Sequence, residues 1–223
     1  MVHVIAIDGP SGAGKSSVSR LVASRLRFLH VDSGALYRLM AWIALQAKAD
    51  PEDEAAVAAA IEAADCEFVV RDGQVVCLVH GEDPGEALRT PEINRAVSPV
   101  AKMEFVRTKV TQWLREMKSL GGLVVEGRDI GTVVFPDSPA RFYLDADPAV
   151  RAQRRHAENQ EKQGAGQSRE AVLESILRRD RIDSTRAIAP LRQAEGAFRI
   201  DSTNLSLEEV VRTVLDHLPA DWP

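Results

Sequence analysis

The residues whose types and spacing best suit chemistry are Gly9, Pro10, Ser11, Gly12, Ala13, Gly14, Lys15, Ser16 and Ser17. They fit G-x-x-x-x-G-K-[ST], a loop that wraps phosphate. Glycines allow positive φ and leave no side chain in the way of an anion. Backbone N–H groups then point into one hollow, helped by the start of a helix at Lys15. Lys15 is placed to reach the β- and γ-phosphates of a nucleoside triphosphate, and the Ser16 hydroxyl to meet Mg2+ directly or through water.

Moving a terminal phosphoryl group needs more cations than one lysine, because charge spreads over its equatorial oxygens during transfer. Arg38, Arg128, Arg151, Arg154, Arg155, Arg178, Arg179, Arg181 and Arg186 are the supply. A guanidinium fork matches phosphate oxygens. About half of these have carboxylates close by in sequence and read as solvated pairs. Arg38 and Arg128 stand out because each follows the end of an apolar strand. Asp129, next to Arg128, has three uses open to it: holding Mg2+, buttressing arginines, or accepting a proton from the amino group of a base. Asp32 and Ser33 suit either a pocket or a helix cap. Tyr37 suits either stacking on a base or packing. The five histidines are scattered without ligand spacing, which disfavours a zinc site or a hydrolytic triad.

The elements that must position these residues alternate between strand and helix. Val2–Ile7 is an apolar run of the kind buried on both faces in a parallel sheet. A helix is expected from Lys15 to Leu26, a strand at Phe28–Val31, and a helix over Ala35–Ala49. Asp50 is expected to cap an alanine-rich helix, with Pro51 at its first position. Cys66–Val70 and Val75–Val79 flank Asp72-Gly73 as a hairpin. Gly81–Pro91 reads as a surface loop. Pro99, with Ser98 as cap, is expected to open one long helix to Leu120. Strands follow at Leu123–Val125, Phe142–Leu144 and Phe198–Ile200. Charged helices at 148–163 and 169–183, broken at Gly164-Ala165-Gly166, read as a mobile arm. Ser206 and Glu209 form a capping box for a last helix, and 219–223 is expected to fray. Alternation of this kind predicts an α/β layer whose ligands sit beyond the carboxyl ends of the strands.

Composition narrows the class further. The chain has 223 residues and a net charge of −5, which argues against coating nucleic acid. Cys66 and Cys77 have no metal-ligand spacing and read as free buried thiols in a reducing compartment. That points to the cytoplasm. Neither a secretory leader nor a membrane span is expected.

At a finer level the chain resembles the bacterial cytidylate kinases over about residues 3–216. The resemblance rests on I-D-G-P-S-G-A-G-K-S-S at 7–17, D-S-G-A-L-Y-R at 32–38, G-E-D at 81–83 and L-R-T-P-E-I at 88–93. It continues with E-G-R-D-I-G-T-V-V-F-P-D at 126–137, R-A-Q-R-R at 151–155, R-D-R-I-D-S-T-R-A-I-A-P-L at 179–191 and D-S-T at 201–203. It implies a P-loop nucleoside monophosphate kinase fold, with a five-stranded parallel sheet flanked by helices. The core would be 1–32, 120–147 and 187–223, and the acceptor-binding lobe 33–119, with a β-rich insert at about 65–95. Residues 148–186 would form a lid. It further implies a monomer that transfers the γ-phosphoryl of ATP to CMP or dCMP with Mg2+, without nucleic-acid or membrane partners. By the same resemblance Arg38, Arg128 and Arg186 hold the acceptor phosphate beside Lys15. Ser98, Arg107 and Asp129 read cytosine. Ser33 and Tyr37 frame the acceptor, Arg179 and Asp183 meet the sugar hydroxyls, and Arg154 meets the ATP phosphates.

Overall fold

The computed structural model describes residues 3–163, 168–220 and 222, with the side chains of 161–163 left aside. Val2, the expected break at Gly164-Ala165-Gly166, and the terminal positions Asp221 and Pro223 lie outside the described residues.

Strand β1 (Val4–Asp8) is buried at every position. It pairs in parallel with β5 (Leu123–Gly127) on one side and β6 (Ala140–Asp145) on the other. Outside these lie β2 (Leu29–Asp32), parallel to β5, and β7 (Phe198–Asp201), parallel to β6. Side chains alternate across the sheet. Val4, Ala6, Leu123 and Val125 enter the core on one face. Ile5, Ile7, Val124 and Leu144 enter the core on the other. The first face is covered chiefly by α2 (Ser33–Gln46), α4 (Pro91–Val100) and α5 (Glu104–Glu116). The second is covered by α1 (Lys15–Leu26) and α8 (Leu207–Asp216), the latter with the expected capping box at Ser206 and Glu209.

The sheet differs from the expected five parallel strands. It is seven-stranded and mixed: with β3 (Cys66–Arg71) and β4 (Gln74–Val79) added, the order is β3-β4-β2-β5-β1-β6-β7. Strands β3 and β4 form the expected hairpin, and Asp72 and Gly73 both take positive φ, 48° and 73°. The insert joins the main sheet because β4 docks beside β2: the His30 N–H donates to Gly73 O at 2.8 Å. Cys77 is buried, whereas Cys66 is only half-buried at the outer strand.

Three other local expectations are corrected. Helix α3 (Glu54–Ala63) is capped by Asp53, whose carboxylate accepts from Ala55 N and Ala56 N. Asp50 instead closes a tight turn, accepting from Glu52 N and Asp53 N. The long helix expected from Pro99 is two helices. Thr90 caps α4 with Pro91 at its first position, so Pro99 falls in that helix's last turn and Ser98 lies inside it. The chain bends through Ala101–Met103 before α5 starts. At the C-terminus, Trp222 stacks on His3 with ring centroids 4.5 Å apart, so this part of 219–223 is packed.

Helices α6 (Pro148–Gln163) and α7 (Arg169–Thr185) pack on each other through a small cluster of Ala152, Val172 and Ile176. Among the described residues, no helix is long and apolar enough to cross a membrane. Register brings the functional segments together. Asp8 lies level with Gly127 and Tyr143, Asp32 with Glu126, and Asp145 with Asp201. The carboxyl ends of five strands therefore open on one edge.

Candidate active site

The chain leaves β1 at Asp8 and turns through Gly9 at φ 152°, where an added Cβ would lie 2.0 Å from Leu144 O. Gly14 takes φ 92° and opens α1. Asp8 is buried and fastens this edge by accepting from Ile130 N at 2.8 Å and Gly131 N at 2.7 Å. Burial and the nearby Asp129 nevertheless push its carboxyl up to about 6 against those two hydrogen bonds.

Lys15 is buried within the loop. Its Nζ donates to Gly9 O at 2.8 Å and Pro10 O at 2.7 Å. Burial, then the Arg128 guanidinium, push the ammonium down to about 7, with Glu126, Asp8 and Asp180 opposing. The folded value lies below the ordinary 10.5, so charged Lys15 opposes folding, and its contribution to stability rises with pH between about 7 and 10.5. A bound phosphate reverses that bias, because its negative charge favours the ammonium. ADP binding is therefore expected to take up a proton at pH values above about 7 and to weaken as the pH rises further. Calorimetric titration in buffers of different ionisation enthalpy measures the uptake, and Lys15→Met is expected to abolish it.

Ser16 donates from Oγ to Glu126 Oε2 at 2.9 Å. Burial alone would raise the Glu126 carboxyl. The His30 hydrogen bond and charge, with Lys15 and Ser16, instead hold it below the ordinary carboxylate range. Sequence reasoning grouped Glu126 with its neighbours but assigned it no role. The available signal was an acid at the end of the strand next to β1, facing the second residue of the helix that follows the phosphate loop. A hydroxyl and a carboxylate, both hard oxygen donors, suit Mg2+, which keeps several waters and leans on substrate phosphates rather than a protein cage. No group of three or more His, Cys, Asp or Glu able to hold a metal is present among the described residues.

Helices α6 and α7 reach the loop through hydrogen bonds to the Ser11 backbone, from side chains that pair with each other. Asp180 accepts from Ser11 N at 3.0 Å. Arg151 donates to Ser11 O at 2.9 Å, to Asp180 Oδ2 at 2.5 Å and to Ala146 O at 2.9 Å. Arg154 donates to Ser202 Oγ and Ser202 O at 3.0 and 2.7 Å, and Ser202 Oγ in turn lies 3.4 Å from Ala13 O of the loop.

A cavity opens beside the loop. Of the residues expected at the site, Ser33, Tyr37, Arg38, Ser98, Arg128, Asp129, Arg179, Asp183 and Arg186 all line it. Lys102, Glu126 and Ile182 also line it without having been assigned there, as does Asp32, for which the sequence left pocket or cap open. Asp32 caps α2 by accepting from Ala35 N, and Ser33 Oγ donates to Glu126 O at 2.7 Å. At the cavity's inner end Asp129 accepts from Arg107 Nη2 at 2.5 Å and from Arg186 Nη2 at 3.4 Å, all three side chains being buried. Arg107 stands behind Asp129 with its guanidinium 5.2 Å from the centre of the Tyr37 ring. Arg128 donates to Asp183 at 3.0 Å. Arg38 donates to Leu88 O and Asn94 Oδ1 at 3.1 and 2.8 Å.

The cations outweigh their partners here. Burial and then Arg179 push Arg38 down to about 10, and burial and then Arg128 push Arg179 down to about 10. Desolvated guanidinium groups that repel one another across a cavity constitute a site for an anion. A phosphate-binding loop with its lysine, an oxygen pair suited to Mg2+, and a facing arginine-lined cavity define the class: a P-loop kinase on an α/β sheet.

Comparison with known proteins narrows the class. The family model for cytidylate kinase matches residues 5–220. Cytidylate kinases from Bacillus thuringiensis (strain Al Hakam) and Bacillus cereus (strain AH187) are each 40% identical over 211 residues, covering 95% of this chain and 93% of the relative. A solved structure of an uncharacterized protein from Eubacterium ventriosum ATCC 27560 has a TM-score of 0.53 at 11% identity, covering 96% of this chain and 97% of that one; the likeness is of fold alone. The chain belongs to the cytidylate kinase family.

Proposed function

We propose that the protein transfers the γ-phosphoryl group of ATP to the 5′-phosphate of CMP or dCMP, giving ADP and CDP or dCDP. The observation that carries this reading is the buried Arg107–Asp129–Arg186 cluster beside an arginine-lined cavity whose wall includes Glu126, the hydrogen-bond partner of Ser16. Asp129 is a carboxylate able to accept from the exocyclic amine of cytosine, and Arg107, on turning from Asp129, can donate to its carbonyl and ring nitrogen. Ser98, inside α4, reaches the same base from the cavity wall.

The remaining residues take roles that their positions support. Gly9 to Ser17 cradle the donor phosphates, and Lys15 exchanges its two loop carbonyls for phosphate oxygens. Arg38 and Arg128 hold the acceptor phosphate and shield it from the donor's charge. Arg186 joins them on leaving Asp129. Ser33 and Tyr37 frame the acceptor, and Arg179 and Asp183 meet the sugar hydroxyls. Ser16 and Glu126 would hold Mg2+, which supplies charge compensation at the β- and γ-phosphates when bound. The recess between Asp145–Arg151 and Arg199–Thr203 gives room for the donor nucleoside. Helices α6 and α7 act as a lid that carries Arg154 towards the donor and excludes water. The acceptor is already anionic, so transfer needs alignment rather than a general base. The protein works as a monomer in the cytoplasm.

A coupled assay of ADP release with CMP, dCMP, UMP and AMP tests the reading. Uracil presents an oxygen to Asp129 where cytosine presents an amine. CMP and dCMP are therefore expected to exceed UMP in kcat/KM by about 10- to 100-fold, the equivalent of one buried mismatch. Equal rates on CMP and UMP would overturn the assignment of Asp129 to the base.

A further inference from the structure

His30 is buried, and the phosphoryl-transfer roles above leave it unused. It lies on β2 opposite Val124 of β5, while Glu126 lies opposite Asp32. Paired residues in parallel strands share a face, so His30 and Glu126 both point towards the side that α1 covers. His30 Nε2 lies 3.0 Å from Glu126 Oε1, and the side chains are only 6% and 5% exposed. Glu126 thus meets an imidazole nitrogen at one oxygen and a hydroxyl at the other, the arrangement of a carboxylate accepting from both, with the proton on Nε2. The other carboxylate oxygen, Oε2, accepts from Ser16 Oγ at 2.9 Å. A continuous chain thus runs from the imidazole through the carboxylate to the hydroxyl at the start of α1.

We propose that His30 is a positioning residue for the metal side of the donor site: it ties down Oε1 of Glu126 so that Oε2 faces Ser16 and the phosphate loop. The ring itself is well anchored. Its backbone N–H is held by Gly73 O of the hairpin at 2.8 Å, and its strand is paired with both β4 and β5. A glutamate has three rotatable side-chain bonds, and Oε1 without a donor would be a buried acceptor left unmatched. The carboxylate would then turn to find one and draw Oε2 away from Ser16. Groups that orient a metal-bearing side chain in this way set metal affinity although they never touch the ion.

The inference rests on the donor-site part of the proposed function and not on the identity of the acceptor. It is tested on the full chain with His30→Leu, which removes the donor, and His30→Gln, whose amide nitrogen can reach the place of Nε2. Mn2+ binding to the ADP-saturated protein is followed by the electron paramagnetic resonance signal of free Mn2+, and ADP affinity is measured separately in a chelator. His30→Leu is expected to weaken Mn2+ by about 10-fold. Metal-free ADP affinity and the KM for CMP stay unchanged, and His30→Gln recovers most of the loss. A purely structural role would move all three quantities together, which would overturn the proposal. Unchanged Mn2+ affinity in a folded His30→Leu protein would also overturn it. If His30→Leu does not fold, the unmodified protein decides. Its His30 Nε2–H resonance must be protected from exchange and must shift when Mg2+ is added to the ADP complex; an unmoved resonance counts against the proposal. Normal Mn2+–ADP binding without CMP phosphorylation would sink the acceptor assignment alone. Absence of Mn2+–ADP binding in the unmodified protein would sink the donor site and this inference with it.

Discussion

Lys15→Met is expected to lower kcat by about 10³-fold while leaving the protein folded. The methionine keeps the unbranched shape of the lysine stem and removes its charge. The ammonium is satisfied by Gly9 O and Pro10 O, at 2.8 and 2.7 Å. Those carbonyls hold the ammonium within the loop, where incoming phosphate oxygens compete for it. The amine's contribution grows as charge develops on the phosphoryl group in transit, so its loss falls mainly on kcat rather than on the KM for CMP. Stability should respond differently. Burial pushes the ammonium down to about 7, so the cation itself strains the fold, and removing it is expected to leave the melting temperature unchanged or higher. Steady-state kinetics together with thermal melting checks both halves. A kcat within tenfold of the unmodified protein would remove Lys15 from the transfer step.

The second large effect is expected at Asp129. Its carboxylate is buried between two guanidinium groups, Arg107 at 2.5 Å and Arg186 at 3.4 Å. Removing one member of a buried ionic cluster leaves the others uncompensated. Asp129→Asn keeps the shape and removes the charge. It is expected to cost about 3 kcal/mol, which for a chain of this size is a fall in melting temperature of roughly 6–12 °C. With Asp129 as the base reader, CMP also loses its advantage. The kcat/KM ratio of CMP to UMP is expected to fall by about 10-fold or more, because the amide can turn its NH2 towards the uracil oxygen. The ratio separates the two roles: a destabilised but still discriminating variant would make Asp129 a structural counter-ion only.

The groups that matter in these two experiments differ in how they could be read from the chain. Lys15 stands in a contiguous motif, and its strand-loop-helix setting follows from local pattern: the apolar run before it and the stripe of Val18 and Val22 after it. The hairpin at Asp72-Gly73 and the box at Ser206 and Glu209 are likewise local, because turn and cap preferences act over a few residues. Where two local signals competed, the reading went astray. Thr90-Pro91 and Ser98-Pro99 are both plausible helix starts, and packing of Ile93, Ala96, Val97 and Val100 into the core favoured the first.

By itself, then, the chain's sequence determined the phosphate loop, the alternating strand and helix order, and the arginine supply, since each depends on neighbours within a turn or two. Only the tertiary structure decided that the insert extends the main sheet and that His30, Glu126 and Ser16 form one chain. Only there do Asp180 and Ser11 meet, 169 positions apart, at 3.0 Å. The physical reason is register. Glu126 reaches Ser16 across 110 positions and His30 across 96, and those meetings exist because β2, β5 and β1 are paired in parallel. No periodicity along the chain encodes the level at which one strand end stands beside another.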